Sequence, residues 1–178
     1  MKPAAQSGDE PMESTVLRSF KKAHVIGMFV LAVGFLATPV LMLSDGNAQD
    51  ARVAKSMAAL KDQTTKLGAP NINGIDEVGG RDAPALYFGS TKVNNNFSVV
   101  DAVAEGGGRG TAATLFVKSG DDYIRIATNV STRIGRRGLG TILTGAALKS
   151  IKEGNPHYGK TSILGTPYVS GYEPIKDA

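Results

Sequence analysis

The sequence predicts an α+β domain, an antiparallel sheet packed on one long helix, and three stretches carry that reading. Residues 114–118 and 123–130 are apolar runs across a Ser-Gly-Asp-Asp turn, the pattern of a β-hairpin. Residues 160–164 and 168–172 repeat the arrangement around Gly165, Thr166 and Pro167. Residues 48–67 place Val53, Met57, Leu60, Thr64 and Leu67 at four-three-four-three spacing, one narrow stripe on a helix.

Length and composition set the outer bounds. A chain of 178 residues holds one domain with a real core plus an accessory segment. Hydrophobic residues make up 42% and charged residues 20%, so the chain is neither disordered nor uniformly membranous. With no cysteine, disulfides, thiol nucleophiles and Cys-ligated metals are excluded. The net charge of +4 is spread along the chain, which argues against nucleic acid as a partner. His24 and His157 stand apart from any carboxylate at a telling spacing, so no enzyme, metal site or cofactor is expected.

Residues 1–24 read as a polar tail ending in Arg18, Lys21 and Lys22. Residues 25–43, VIGMFVLAVGFLATPVLML, carry no charge. As a helix they would rise about 28 Å, close to the hydrocarbon thickness of a bilayer. This predicts a transmembrane helix in a bacterial inner membrane. The basic cluster before it and Asp45 and Asp50 after it place the tail in the cytoplasm and residues 44–178 in the periplasm. A cleaved signal peptide ending before Gln49 is the competing reading.

The stripe on residues 48–67 serves either packing on the sheet or pairing with a second copy as a homodimer. Gly68, Ala69 and Pro70 stop the helix. Residues 71–84 read as a glycine-rich connection, residues 86–88 as a short strand, residues 92–97 as a turn and residues 99–104 as a short apolar piece. The glycine runs at 106–110 and 135–140 match no phosphate-binding fingerprint in order or context, and turns account for both.

Candidate chemistry sits on the strand pairs. Alternation puts Tyr123, Arg125, Ala127 and Asn129 on one face and Ile124, Ile126, Thr128 and Val130 on the other. The first set offers a cation, an amide and a phenol, donors suited to a small anion. A solvated sheet face would carry the same residues. Residues 144–152 form a short helix, and Tyr168, Ser170 and Tyr172 then share a face. Those tyrosines suit either a pocket wall or the edge of the core.

The run DDYIRIATNV, then GLGT, then NPHYGKTSILGTPYVSGYEPIKDA resembles the single Cache domains of bacterial receptors, of the Cache 3/Cache 2 fusion type. The resemblance implies a PAS-like fold and sensing of small molecules, often short carboxylates, in chemoreceptors and sensor kinases. It sets Arg125, Thr128, Asn129, Thr141, Tyr158, Tyr168 and Tyr172 at or beside the family's pocket positions. In the family the E-P-I-x-D segment leads into one more strand, whereas this sequence ends at Ala178. The expected sheet therefore lacks its C-terminal strand. The arginines at 133, 136 and 137 point to a ligand more anionic than a monocarboxylate. The function expected is sensing of a small anionic metabolite by a membrane chemoreceptor or sensor kinase. The alternative is a secreted or tethered periplasmic ligand-binding protein without a transmembrane output.

Overall fold

The central strand of the main sheet comes from the segment that hydropathy assigns to a membrane. The computed structural model describes residues 24–34 and 46–177. Its first element is β1 (Val25–Gly34), which pairs antiparallel with β5 (Thr111–Ser119) on one side and β8 (Thr166–Lys176) on the other. With β6 (Asp122–Thr128) and β7 (His157–Ile163), the five-stranded order is β6-β5-β1-β8-β7.

Both faces of β1 are covered. Phe29, Leu31 and Val33 join one core cluster, while Met28 and Val30 join a second and Ala32 a third. A strand buried on both faces loses the polar half of its alternation and reads as a continuous apolar run. Such a run has the same hydropathy as half a membrane span. No helix among the described residues is long and apolar enough to cross a membrane. The expected transmembrane helix, and the inner-membrane placement with residues after 43 facing the periplasm, lose their basis. Residues 1–23 of the expected tail and residues 35–43 of the expected span lie outside the described residues.

β1 runs antiparallel to β8 along nearly its whole length. It starts beside the end of β8: Asp177 N donates to His24 O at 3.0 Å, and His24 N donates back to the Asp177 carboxylate. Among the described residues β8 is flanked by β7 on one side and β1 on the other.

On one face lie α1 (Gly46–Leu67), α2 (Ser98–Gly107) and a small sheet of β2 (Pro70–Val78), β3 (Arg81–Phe88) and β4 (Thr91–Lys92). α1 is alanine-rich and free of proline, and it stops at Gly68. Its stripe residues Val53, Met57, Leu60 and Thr64 are at most 2% exposed and pack on β1 and β8. Burying each apolar member contributes about 1.5–3 kcal/mol. The stripe is thus spent inside the domain and is closed to pairing with a second copy. Residues 99–104 belong to α2, whose Val99, Val100 and Val103 face the same core. Residues 71–84, expected as a connection, form a hairpin turned at Gly79 and Gly80, with φ of 59° and 79°. Two successive positive φ values make the tight turn that matches strand twist, and glycine adopts them without strain. The opposite face of the main sheet carries α3 (Gly145–Lys152), with Leu143, Ala147 and Ile151 against Met28, Val30, Phe116 and Tyr172.

Candidate functional site

β6 departs from simple alternation at one residue. Leu115 pairs with Ala127 and Phe116 with Arg125, so Ile126 is an extra residue, a β-bulge. Past the bulge the two faces exchange. Ile124, Ile126 and Ala127 enter the core beneath α1 and α2. Tyr123, Arg125 and Thr128 face the α3 side, Thr128 hydrogen-bonding Thr114 at 2.7 Å.

Arg125 is the unusual group there. It is 6% exposed, its guanidinium lies 5.0 Å from the Phe116 ring centroid, and among the described residues no carboxylate pairs with it. Nε and Nη1 are buried without a hydrogen-bond partner. Burial pulls its pKa down from 12.5 to about 10, against partial compensation from Tyr172 and Tyr168. The group stays cationic at neutral pH, desolvated and uncompensated. Native proteins seldom leave a buried charge so unless a ligand completes the site.

The loop after β6 is anchored by Arg137 and passes close to the Arg125 guanidinium. Arg137 makes paired bonds to Asp101 at 2.7 and 2.8 Å, a third to Thr128 O at 2.8 Å, and stacks on Phe97 at 4.3 Å. Gly138 then passes so close that a Cβ would lie 2.5 Å from Leu164 Cδ1 and 3.0 Å from Arg125 Nη1. Arg137 is committed to Asp101, and Arg133 and Arg136 are exposed. The arginine-rich loop therefore does not furnish a cluster of ligand cations.

Arg125 opens on a cavity of about 640 Å³ between β7, β8 and the start of α3. Ile142, Leu143, Ala146 and Ala147 form an apolar wall, facing His157, Lys160, Thr161, Ser162 and Tyr172. Among the described residues no aspartate or glutamate lines it. The Tyr172 hydroxyl lies 3.4 Å from Thr161 Oγ1, which in turn is 2.7 Å from Ser170 Oγ. His157 sits against the Tyr172 ring, 5.9 Å between centroids.

Of the seven residues expected at the pocket, Arg125 and Tyr172 line this cavity. Tyr168 packs nearby, partly buried with Ala32, Val130 and Ile163. Thr128 lies fully buried beneath, and its hydroxyl accepts from Val130 N. The Asn129 amide is consumed by β5, accepting from Ala113 N at 2.8 Å and donating to Thr111 O. The Thr141 hydroxyl donates to Gly138 O at 2.8 Å. Tyr158 points away: it is 49% exposed and donates to Glu173, which Lys61 of α1 also contacts at 2.8 Å. Sequence reasoning missed His157, Lys160, Thr161 and Ser162, although their closeness to Tyr158 on one strand was the available signal.

The Tyr158–Glu173–Lys61 cluster ties β7 and β8 to α1 and carries a pH prediction. Burial alone would raise the Glu173 pKa, but hydrogen bonds from Lys61 and Tyr158, with the Lys61 charge, outweigh it and lower it. A carboxylate with a depressed folded pKa adds stability above its unfolded pKa, lost as pH falls through the folded one. Lys61→Met should melt below wild type at pH 7, by at most about 1 kcal/mol for so exposed a pair. The two melting temperatures should converge as the pH falls through the lowered folded pKa of Glu173, below which it is protonated in both. Thermal melts across that range check this.

Comparison with curated proteins and with solved structures finds no match. The family model of the Cache 3/Cache 2 fusion domain matches residues 39–178, which contain α1, α2, α3 and seven of the eight strands. β1 alone among the elements falls outside the matched residues, yet it fills the middle of the main sheet. The chain belongs to the Cache 3/Cache 2 fusion domain family, and its role is that of a non-catalytic small-molecule sensing module.

Proposed function

We propose that the domain senses a small anionic metabolite, a carboxylate, held in the cavity by the Arg125 guanidinium and the hydroxyls of Tyr172 and Thr161. The observation that carries this reading is the buried guanidinium, with Nε and Nη1 unsatisfied and no counter-ion beside it among the described residues. A carboxylate accepting from those atoms would form charge-assisted bonds in a low-dielectric site, where they are stronger than in water. Buried Leu143 and Ala147 supply apolar surface on the other side of the cavity. Of the two functional readings, the ligand-binding domain without a transmembrane output has the better support, since β1 is committed to the sheet.

A panel of short carboxylic acids screened by thermal shift tests the reading. At about 100 times the dissociation constant, a binding acid should add about 2.7 kcal/mol of stability. Arg125→Ala should respond to none. An absence of shift across the panel, or equal shifts in the variant, would remove the basis for the proposal.

A further inference from the structure

We infer that Asp101 and Arg137 are positioning residues for the anion site, fixing from α2 where the Arg125 guanidinium stands. That role presupposes the anion reading of the cavity and extends the site to residues that touch no ligand. Nε and Nη1 of Arg125 have no acceptor among the described residues, so packing, not hydrogen bonding, orients those atoms. Two surfaces supply it. The Phe116 ring centroid lies 5.0 Å from the guanidinium carbon, and Gly138 stands so close that a Cβ there would be 3.0 Å from Nη1. Phe116 is buried within β5, a fixed wall. Gly138 belongs to a loop, so its place depends on what holds the loop.

Backbone bonds set the course of that loop along β6. Gly138 N donates to Val130 O at 2.9 Å, Gly140 N to Arg125 O at 2.9 Å and Leu143 N to Tyr123 O at 3.0 Å, while Arg125 N donates to Thr141 O at 3.0 Å. Arg137, one residue before Gly138, ties the loop to the other face of the sheet. Its guanidinium reaches past β6 to Asp101 in the first turn of α2, whose Val99, Val100 and Val103 pack in the core on the side away from α3. A two-bond fork fixes direction as well as distance, and the bond to Thr128 O and the stack on Phe97 hold the same guanidinium. A Cβ at Gly79, in the β2–β3 turn, would lie 2.5 Å from Leu139 O, so that turn braces the loop as well. Asp101 thus acts on Arg125 through Arg137 and Gly138, a path of neighbours from α2 to the cavity.

Isothermal titration of the full chain with succinate, one acid of the panel, compares wild type with Gly138→Ala, Asp101→Asn, Arg137→Met and Arg137→Lys. Gly138→Ala sets a methyl against the Arg125 guanidinium without touching α2, and should weaken succinate about tenfold. Asp101→Asn keeps the shape and removes the charge of a part-exposed pair, so a loss of about three- to fivefold is expected. Arg137→Met should lose at least as much. Arg137→Lys keeps the charge without the fork and should recover part of it. The second readout is the Arg125 Nε–H resonance of the ligand-free chain, which reports the surroundings of that atom and not stability. It should shift in Gly138→Ala and in Asp101→Asn. Lower melting temperatures in Asp101→Asn and Arg137→Met, with affinity and resonance both as in wild type, would make the pair purely structural and overturn the inference. Wild-type affinity in Gly138→Ala would overturn the step from the loop to the guanidinium. Should wild type bind no acid of the panel, the anion reading falls, and the ligand-free resonance decides alone: a shift in Asp101→Asn supports the positioning role, and no shift overturns it.

Discussion

Leu31→Asp abolishes cooperative folding. Leu31 is fully buried at the middle of β1, paired with Ala113 of β5 and Gly171 of β8, and belongs to the core that Val53, Met57 and Leu60 of α1 complete. Truncating such a leucine to alanine already costs about 2–5 kcal/mol. Aspartate adds the penalty of an unpaired carboxylate in an apolar core, several kcal/mol even when the group protonates to escape it. A domain of this size has about 5–15 kcal/mol in total. Urea melts should show a sigmoid for wild type and none for the variant. A cross-link checks the same placement without disturbing it. Ala32 and Ala112 are buried opposite each other on β1 and β5, and the chain has no cysteine of its own. Ala32→Cys with Ala112→Cys should oxidise to one disulfide within the chain, seen as a mobility shift on non-reducing gels. A folded Leu31→Asp and a double-cysteine chain that stays reduced would contradict the placement of β1.

Arg125→Met makes the unliganded domain more stable and removes ligand binding. The two effects have one cause. Arg125 is desolvated and has no counter-ion among the described residues, so its charge opposes folding until an anion arrives. Replacing a poorly compensated buried charge by an apolar side chain of similar length gains about 1–4 kcal/mol in comparable cases. For a domain of this size each kcal/mol raises the melting temperature by about 2–4 °C. In the same variant, loss of two charge-assisted bonds should weaken binding about 100-fold or more. Arg125→Lys keeps the charge but not the planar fork, and should recover only part of the affinity. Calorimetry with and without succinate reads both signs. A variant less stable than wild type that still answers to succinate would place the arginine in the scaffold.

The hairpins, the long helix and α3 were legible because each leaves a period or a turn signal in the sequence. The α1 stripe is one-sided, so 3.6-residue spacing identifies it. β1 is two-sided, and nothing in hydropathy separates a ten-residue strand with both faces in the core from the first half of a membrane helix. What settles it is pairing with β5 and β8, contacts distant in sequence. The site was legible at Arg125 and Tyr172, where a polar residue interrupts an apolar strand. Thr128 and Ala127 were assigned to the wrong faces because one bulged residue reverses alternation, and a bulge at Ile126 has no glycine to mark it. Tyr158 was misplaced for a related reason. Its neighbours His157 and Thr161 face the cavity, while Tyr158 reaches Glu173 on the α1 side. The Gly79–Gly80 hairpin was the most readable of the missed signals, a Gly-Gly pair at a turn, although of its immediate flanks only Val78 is a strong strand former.

The most direct test of the anion site observes the orphaned atom itself. With arginine labelled by nitrogen-15, the Nε–H resonance of Arg125 is the one absent from spectra of Arg125→Met. Its buried, unpartnered Nε–H should move downfield on titration with succinate, saturating along the calorimetric binding curve, as a carboxylate oxygen takes up the missing bond. A resonance that stays in place while succinate binds would put the ligand elsewhere and contradict the account of the cavity.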